Sequence, residues 1–187
     1  MASFSGNLMS LLLDFYRGRE TDSEGRFLKD ILAWPDTDFE AVHALLQWVF
    51  PLPEPSKFNS EAPLLTENDI AAFKSDPLLQ ANLMKSFKRI LTFLGLSLSD
   101  KGEVVEGQNF TARVADVWTS PNHNWGRITR ILRSLMLLGM KGQAQALYAR
   151  LDAIHRSRKF PISASTFRYW TEAIGGSDSP QRPGEIE

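Results

Sequence analysis

Three basic side chains, His123, Arg127 and Arg130, recur at helical spacing. Intervals of three and four residues place them on one line along a helix, which we call the basic line. The same helix carries an apolar stripe beside this line, made of Ile128, Ile131, Leu132, Leu135 and Leu138. Burial of a charge next to a core is costly unless the charge is paired. The spacing therefore predicts that an acidic group meets the basic line.

Two partners for Arg127 and Arg130 are compatible with the sequence. One is an internal ion pair with an acid such as Asp14, Asp69 or Asp116. The other is a bound ligand, because a guanidinium group holds a carboxylate or a phosphate with two parallel hydrogen bonds. Residue types alone leave both alternatives open.

The helix that carries the basic line has a local start signal. Ser120 is predicted to cap it, and Pro121 suits the first helical position, where no backbone N–H is needed.

A second polar line is predicted on an earlier helix that begins at Asp38. His43 and Gln47 would lie one turn apart on its flank, beside an apolar face that ends near Val49. If both apolar faces enter one core, the two polar lines meet at its rim. They would form a pocket with few acids, roofed by a proline-rich loop that contains Asn59.

Apolar periodicity over the remaining chain predicts an all-α single domain, a multi-helix bundle of about eight helices with little or no sheet. Thr66 and the pair Asp76-Pro77 are predicted helix starts, and Gly95 is a predicted helix end. The domain is expected to span residues 7–174, followed by a disordered polar tail over residues 175–187.

Composition excludes several function classes. Lys and Arg number 21 against 22 Asp and Glu, so there is no strong nucleic-acid signal, and there is no cysteine. Phosphate loops, dinucleotide fingerprints and metal-ligand spacings are absent, so no metal and no cofactor are predicted and the protein is not expected to be an enzyme. No apolar run approaches the roughly 20 residues of a transmembrane helix, so we expect a soluble, cytoplasmic protein.

Several separated motifs resemble one family. Residues 123–135 read HNWGRITRILRSL, residues 47–51 read QWVFP, and residues 7–17 read NLMSLLLDFYR. Together with Phe73-Lys74 and Gln108-Asn109-Phe110, they occur in the order found in the opioid growth factor receptor conserved region, and the resemblance covers about residues 7 to 172. Gly126 stands where that family usually has a larger apolar residue. No C-terminal repeat array follows, so we expect a minimal single-domain relative.

The resemblance implies opioid growth factor receptor activity, meaning recognition of an enkephalin-type peptide. Arg127 or Arg130 would hold the carboxylate of such a peptide, and Trp48 would contact its aromatic ring, although Trp48 also suits a core position. The alternative is a small-molecule site for an anionic carboxylate or phosphate, or an unrecognised enzyme with His43 or His123 as general base. The predicted ligand-binding residues are His43, Gln47, Trp48, Asn59, Asn122, His123, Asn124, Arg127 and Arg130.

Overall fold

A computed structural model describes residues 10–42, 44–55 and 62–175. Within these ranges the chain forms ten helices and one small antiparallel sheet, which confirms the all-α prediction. In chain order the elements are α1 (Leu11–Tyr16), α2 (Leu28–Leu32), α3 (Asp36–Ala41), α4 (Leu45–Val49), α5 (Glu67–Ser75), α6 (Pro77–Phe93), β1 (Leu96–Leu98), β2 (Val104–Glu106), α7 (Phe110–Val117), α8 (His123–Leu137), α9 (Lys141–Ser157) and α10 (Ala164–Gly175).

Helix α8 lies in the middle of the packing and contacts both α9 and α10. Its apolar stripe is fully buried, as the periodicity predicts. Trp170 of α10 donates its indole N–H to the backbone carbonyl of Trp125 at 3.0 Å. Trp118 donates in the same way to the carbonyl of Leu94, also at 3.0 Å. Buried indoles need such partners, so these two bonds fix how α10 and the end of α7 are placed.

The predicted starts of α5 and α6 are confirmed. The Thr66 hydroxyl accepts from the backbone N–H of Asp69, whose carboxylate accepts from the N–H of Thr66 at 2.9 Å. This reciprocal pair satisfies two donors that a helix start leaves free. Asp76 caps α6 through the N–H groups of Leu78 and Leu79, and Pro77 takes the first helical position.

Gly95 ends the turn after α6 with a φ of +78°. A β-carbon there would also lie 3.0 Å from the Cα of Phe110. The position therefore requires glycine both for its left-handed backbone and for the close approach of α7. The hairpin that follows pairs Ser97 with Val105, and it is the small sheet of the described chain.

The third predicted helix is interrupted, and the prediction of one continuous helix from Asp38 is wrong. Val42 has an extended backbone (φ −100°, ψ 93°), so α3 ends at Ala41 and a separate α4 begins at Leu45. The first of these helices also begins at Asp36, directly after Pro35, rather than after a cap at Asp38. Each of the two helices buries apolar side chains, Phe39 in α3 and the apolar residues from Leu45 to Val49 in α4.

The predicted start of the central helix is wrong by two residues. Asn122, not Ser120, is the cap of α8, because its side-chain oxygen accepts from the N–H of Asn124 at 2.9 Å. The amide group of Asn122 also donates to the carbonyl of Ser120 at 2.8 Å and to the carbonyl of Val117. One asparagine side chain thus caps α8 through its oxygen and holds the preceding turn through its amide group, which has two N–H donors where a serine hydroxyl has one.

Four predictions fall wholly or partly outside the described residues: the part of the first helix before residue 10, the positions of His43 and Asn59, and the tail after Gly175. Among the helices of the described ranges, none is both long and apolar enough to cross a membrane.

Candidate functional site

The carboxylate of Glu40, on α3, meets the first half of the basic line. Its Oε1 lies 2.8 Å from Nε2 of His123, and its Oε2 lies 3.8 Å from Nη1 of Arg127 and 3.9 Å from Nη2 of Arg113. The buried amide of Asn124 donates to both carboxylate oxygens at 3.2 and 3.3 Å. A single acid thus joins α3 to α7 and α8.

Sequence reasoning missed Glu40. The acids expected to pair with Arg127 are engaged elsewhere: Asp14 with Arg17 and Arg19, Asp69 in the cap of α5, and Asp116 with Arg113. The expectation of a pocket with few acids is therefore wrong at this end of the basic line. Asp36 and Glu40 are four residues apart, which places them on one face of a helix. This spacing is the sequence feature that could have indicated Glu40 as an acidic partner.

Arg127 is held inside the protein. It is 8% exposed, and it donates to the side-chain oxygen of Asn124 at 3.0 Å and to the backbone carbonyl of Glu40 at 3.1 Å. Its guanidinium lies 5.9 Å from the ring centre of Phe93. Burial lowers the pKa of Arg127, and the charge of Glu40 opposes that shift. These contacts make Arg127 an internal structural group.

A second acid of α3 extends the same network. Asp36 accepts from Arg89 of α6 at 2.8 Å and lies 3.7 Å from Nε of Arg113. The guanidinium of Arg89 lies 4.6 Å from the ring centre of Phe39, and that of Arg113 lies 4.7 Å from the ring centre of Phe93. Ion pairs and cation–π contacts therefore act together where α3, α6, α7 and α8 meet.

Arg130, one turn further along α8, has a different environment. Its Nε donates to the backbone carbonyl of Phe50 at 2.9 Å, at the end of α4. Across residues 10–42, 44–55 and 62–175, no carboxylate lies within 4.0 Å of its guanidinium nitrogens. Burial, and secondly the charge of Arg133, lower the pKa of Arg130 to about 10, against a smaller opposing effect of Glu54. Arg130 is therefore a desolvated cation without a bonded anion in the described chain.

Glu54 supplies the acid nearest to this part of α8. It lies in the segment Pro51–Pro55 and pairs with Arg133. Its Oε2 is buried, and no described residue donates a hydrogen bond to it. Glu54 is therefore ion-paired with Arg133, and it acts on Arg130 only through its more distant charge.

Four other predicted site residues lie within the described ranges, and their contacts are with the scaffold around α4 and α8. Gln47 and Trp48 are buried in α4, and Trp48 packs edge-on against Phe15 with ring centres 5.2 Å apart. Asn122 caps α8 and Asn124 bridges Glu40 and Arg127. The structure thus brings together His123, Asn124 and Arg127 around Glu40, and it places Arg130 beside the end of α4.

Two surface clefts lie away from the basic line. One is between α1, α2 and α6, and the other is at the carboxyl end of α9, around His155 and Phe160. Within the described part of the chain, no three His, Asp or Glu side chains are grouped so that they can hold a metal ion.

Comparison with known proteins identifies the family of this sequence. The profile of the opioid growth factor receptor (OGFr) conserved region matches residues 7–180. The chain belongs to this family. Human opioid growth factor receptor is 39% identical over 171 residues, and the mouse protein is 38% identical over 170 residues. Mouse opioid growth factor receptor-like protein 1 is 34% identical over 132 residues.

The chain spans about a quarter of the length of the curated relatives it matches. The human and mouse receptors align with 87% of this chain but with 25% and 26% of their own lengths, and the mouse receptor-like protein aligns with 68% of this chain and 28% of its own length. No solved structure matches. Membership in the opioid growth factor receptor conserved-region family therefore describes the helical domain, with α8 inside the matched region.

Proposed function

We propose that residues 7–174 form a receptor-type recognition domain that binds the carboxylate of an opioid-growth-factor-like peptide at Arg130. Relatives named opioid growth factor receptor support the ligand class. The observation that carries the proposal is the environment of Arg130, a desolvated guanidinium with no carboxylate within 4.0 Å in the described ranges.

The chemistry of the proposed contact follows from what Arg130 already does. Its Nε is used by the carbonyl of Phe50, which fixes the plane of the guanidinium. In the proposed complex, the terminal nitrogens of Arg130 donate two hydrogen bonds to the peptide carboxylate. Low local dielectric strengthens such a bond, and a peptide carboxylate would supply the negative charge that Arg130 lacks among the described residues.

Arg127 takes a supporting role in this proposal. Its donors are used by Asn124 and Glu40, so it holds the first turns of α8 against α3. Trp48, which is 1% exposed, supports the end of α4 from inside the core. Both residues set the position of Arg130 relative to Phe50, and neither is proposed to touch the peptide.

Calorimetric titration with an enkephalin-type peptide tests the proposal. The free-acid peptide is expected to bind, and its C-terminal amide to bind about 10- to 100-fold more weakly, since a charge-assisted hydrogen bond contributes roughly 1.5–3 kcal/mol. Arg130→Met should weaken the free acid by a similar factor. Arg168→Met, an exposed arginine of α10, is the matched control and should leave the affinity unchanged.

Equal binding of acid and amide, or full affinity in Arg130→Met, would overturn the assignment of Arg130. Binding of inorganic phosphate or acetate at Arg130 together with no binding of the peptide would favour the alternative, a small anionic ligand. Absence of binding by all of these probes would overturn the recognition function at this site.

A further inference from the structure

A cleft of about 190 Å³ lies between α1, α2 and α6, and none of the residues that line it belongs to the basic line. Its floor is mostly apolar and is formed by Phe27, Leu28 and Leu32, with Asn82 at one wall. Two lysines, Lys29 and Lys85, stand at its edges. The cleft therefore combines an apolar surface with positive charge at the rim, an arrangement typical of sites for amphipathic anions.

The two lysines are held by neutral groups. Lys85 donates to the side-chain oxygen of Asn82 at 3.0 Å, and Lys29 lies 5.7 Å from the ring centre of Phe27. Neither ammonium has a carboxylate within 4.0 Å among the residues that the structure describes. Arg17 also lines the cleft, but its Nη2 lies 2.9 Å from Oδ2 of Asp76, so its charge is compensated. The uncompensated positive charge at the rim thus comes from Lys29 and Lys85.

Gly18 also lines the cleft. This residue follows α1 with a φ of +73°, and no atom outside its immediate chain neighbours lies within 4 Å of the position that a β-carbon would occupy. Glycine both permits the left-handed turn and leaves this part of the lining free of a side chain.

We propose that this cleft binds a small carboxylate with a short apolar body, such as a medium-chain fatty acid. A cavity of about 150 Å³ holds one benzene ring, so this cleft accommodates one ring or a short alkyl chain. The apolar body replaces water over Leu28 and Leu32, and the carboxylate lies between the ammonium groups of Lys29 and Lys85. None of these residues belongs to the Arg130 site, so a negative result for one proposal does not affect the other.

Nuclear magnetic resonance of the ¹⁵N-labelled full chain with hexanoate tests the proposal. Amide signals at the end of α1, along α2 and around Asn82 are expected to shift saturably as hexanoate is added to about 10 mM. This concentration exceeds the dissociation constant of about 1 mM that is typical of so small a ligand. Hexanol, the neutral counterpart, should bind about tenfold more weakly. The double variant Lys29→Ala with Lys85→Ala should lose about tenfold in hexanoate affinity, since each exposed ion pair contributes modestly.

Lys88→Ala is the matched control, because Lys88 is an exposed lysine of α6 that does not line the cleft. It should retain the wild-type affinity for hexanoate. Three outcomes would overturn the proposal: no saturable shift around the cleft, shifts confined to another surface, or hexanol and the double variant matching wild type with hexanoate. The substituted lysines are exposed, so the variants keep the fold and each result is interpretable.

Discussion

Glu40 and His123 form the contact that joins α3 to the start of α8: Oε1 of the carboxylate lies 2.8 Å from Nε2 of the imidazole. The same carboxylate serves Arg127 and Arg113, so α3, α7 and α8 depend on one acid. The basic line therefore has two parts. His123 and Arg127 pair with Glu40 of α3, and Arg130 contacts the end of α4.

Glu40→Gln should destabilise the fold. The amide keeps the shape but removes the charge that compensates Arg113 and Arg127, and we expect a loss of about 1–3 kcal/mol, less than for a fully buried pair because Glu40 is one-third exposed. Urea unfolding measures the loss. Asp38→Asn, an exposed acid on the same helix, should change stability by less than about 0.5 kcal/mol. Equal effects of the two variants would contradict the role of Glu40.

Arg127→Met should destabilise the protein far more than Arg130→Met does. Arg127→Met removes the buried donors to the Asn124 side chain and the Glu40 backbone carbonyl, together with a charge near the Glu40 carboxylate, and should cost about 3 kcal/mol. Arg130→Met removes a desolvated charge along with one bond to a backbone carbonyl, so its stability should stay within about 1 kcal/mol of wild type. Thermal unfolding of the two variants side by side distinguishes them. A larger loss for Arg130→Met would mean that Arg130 is the structural residue.

Glu54→Gln should strengthen peptide binding. The Glu54 carboxylate offsets part of the positive charge on α8 and occupies Arg133, so it competes with the carboxylate of a ligand. We expect the affinity for the free-acid peptide to rise several-fold and that for the amide to stay unchanged. Glu67→Gln, at the exposed start of α5, is the control of equal charge change. Weaker acid binding in Glu54→Gln would show that Glu54 helps to form the site.

Acid sensitivity should depend on Asp76. The hydrogen bond from Arg17 lowers the pKa of Asp76 below its ordinary 3.8, and the cap bonds from Leu78 and Leu79 act in the same direction. A carboxyl group with a depressed folded pKa contributes stability above its unfolded pKa, and this contribution is lost as the pH falls through the folded pKa.

Asp76→Asn keeps an acceptor for the cap of α6 but has no charge for Arg17. It should be less stable than wild type at neutral pH, and the difference in the free energy of unfolding between the two proteins should decrease as the pH falls below about 4. Urea unfolding at a series of pH values measures this difference. A difference in unfolding free energy that stays constant across these pH values would contradict the proposed dependence of stability on the charge of Asp76.

Local signals in the sequence predicted several elements correctly. The period of the apolar stripe gave the buried face of α8, and the cap residues Thr66 and Asp76 gave the starts of α5 and α6. These features depend on chain neighbours within one or two turns, so residue types are enough to predict them.

Non-local features were not available to the same reasoning. The break at Val42 lies inside a continuous apolar pattern, so no residue type marks the extended backbone there. The pairing of Glu40 with His123 joins residues far apart in sequence. The acceptor for Arg130 is the backbone carbonyl of Phe50, which every residue type provides and which no pattern marks.

The most direct test of the central claim observes the Arg130 guanidinium while peptide is added. In ¹⁵N-edited spectra of arginine side chains, the Nε–H signal of Arg130 can be assigned by its loss in Arg130→Met. The account predicts that this signal shifts saturably with the free-acid peptide, with the same dissociation constant as in calorimetry, and stays in place with the amide. A titration in which the peptide binds while the Arg130 signal remains unmoved would contradict the claim.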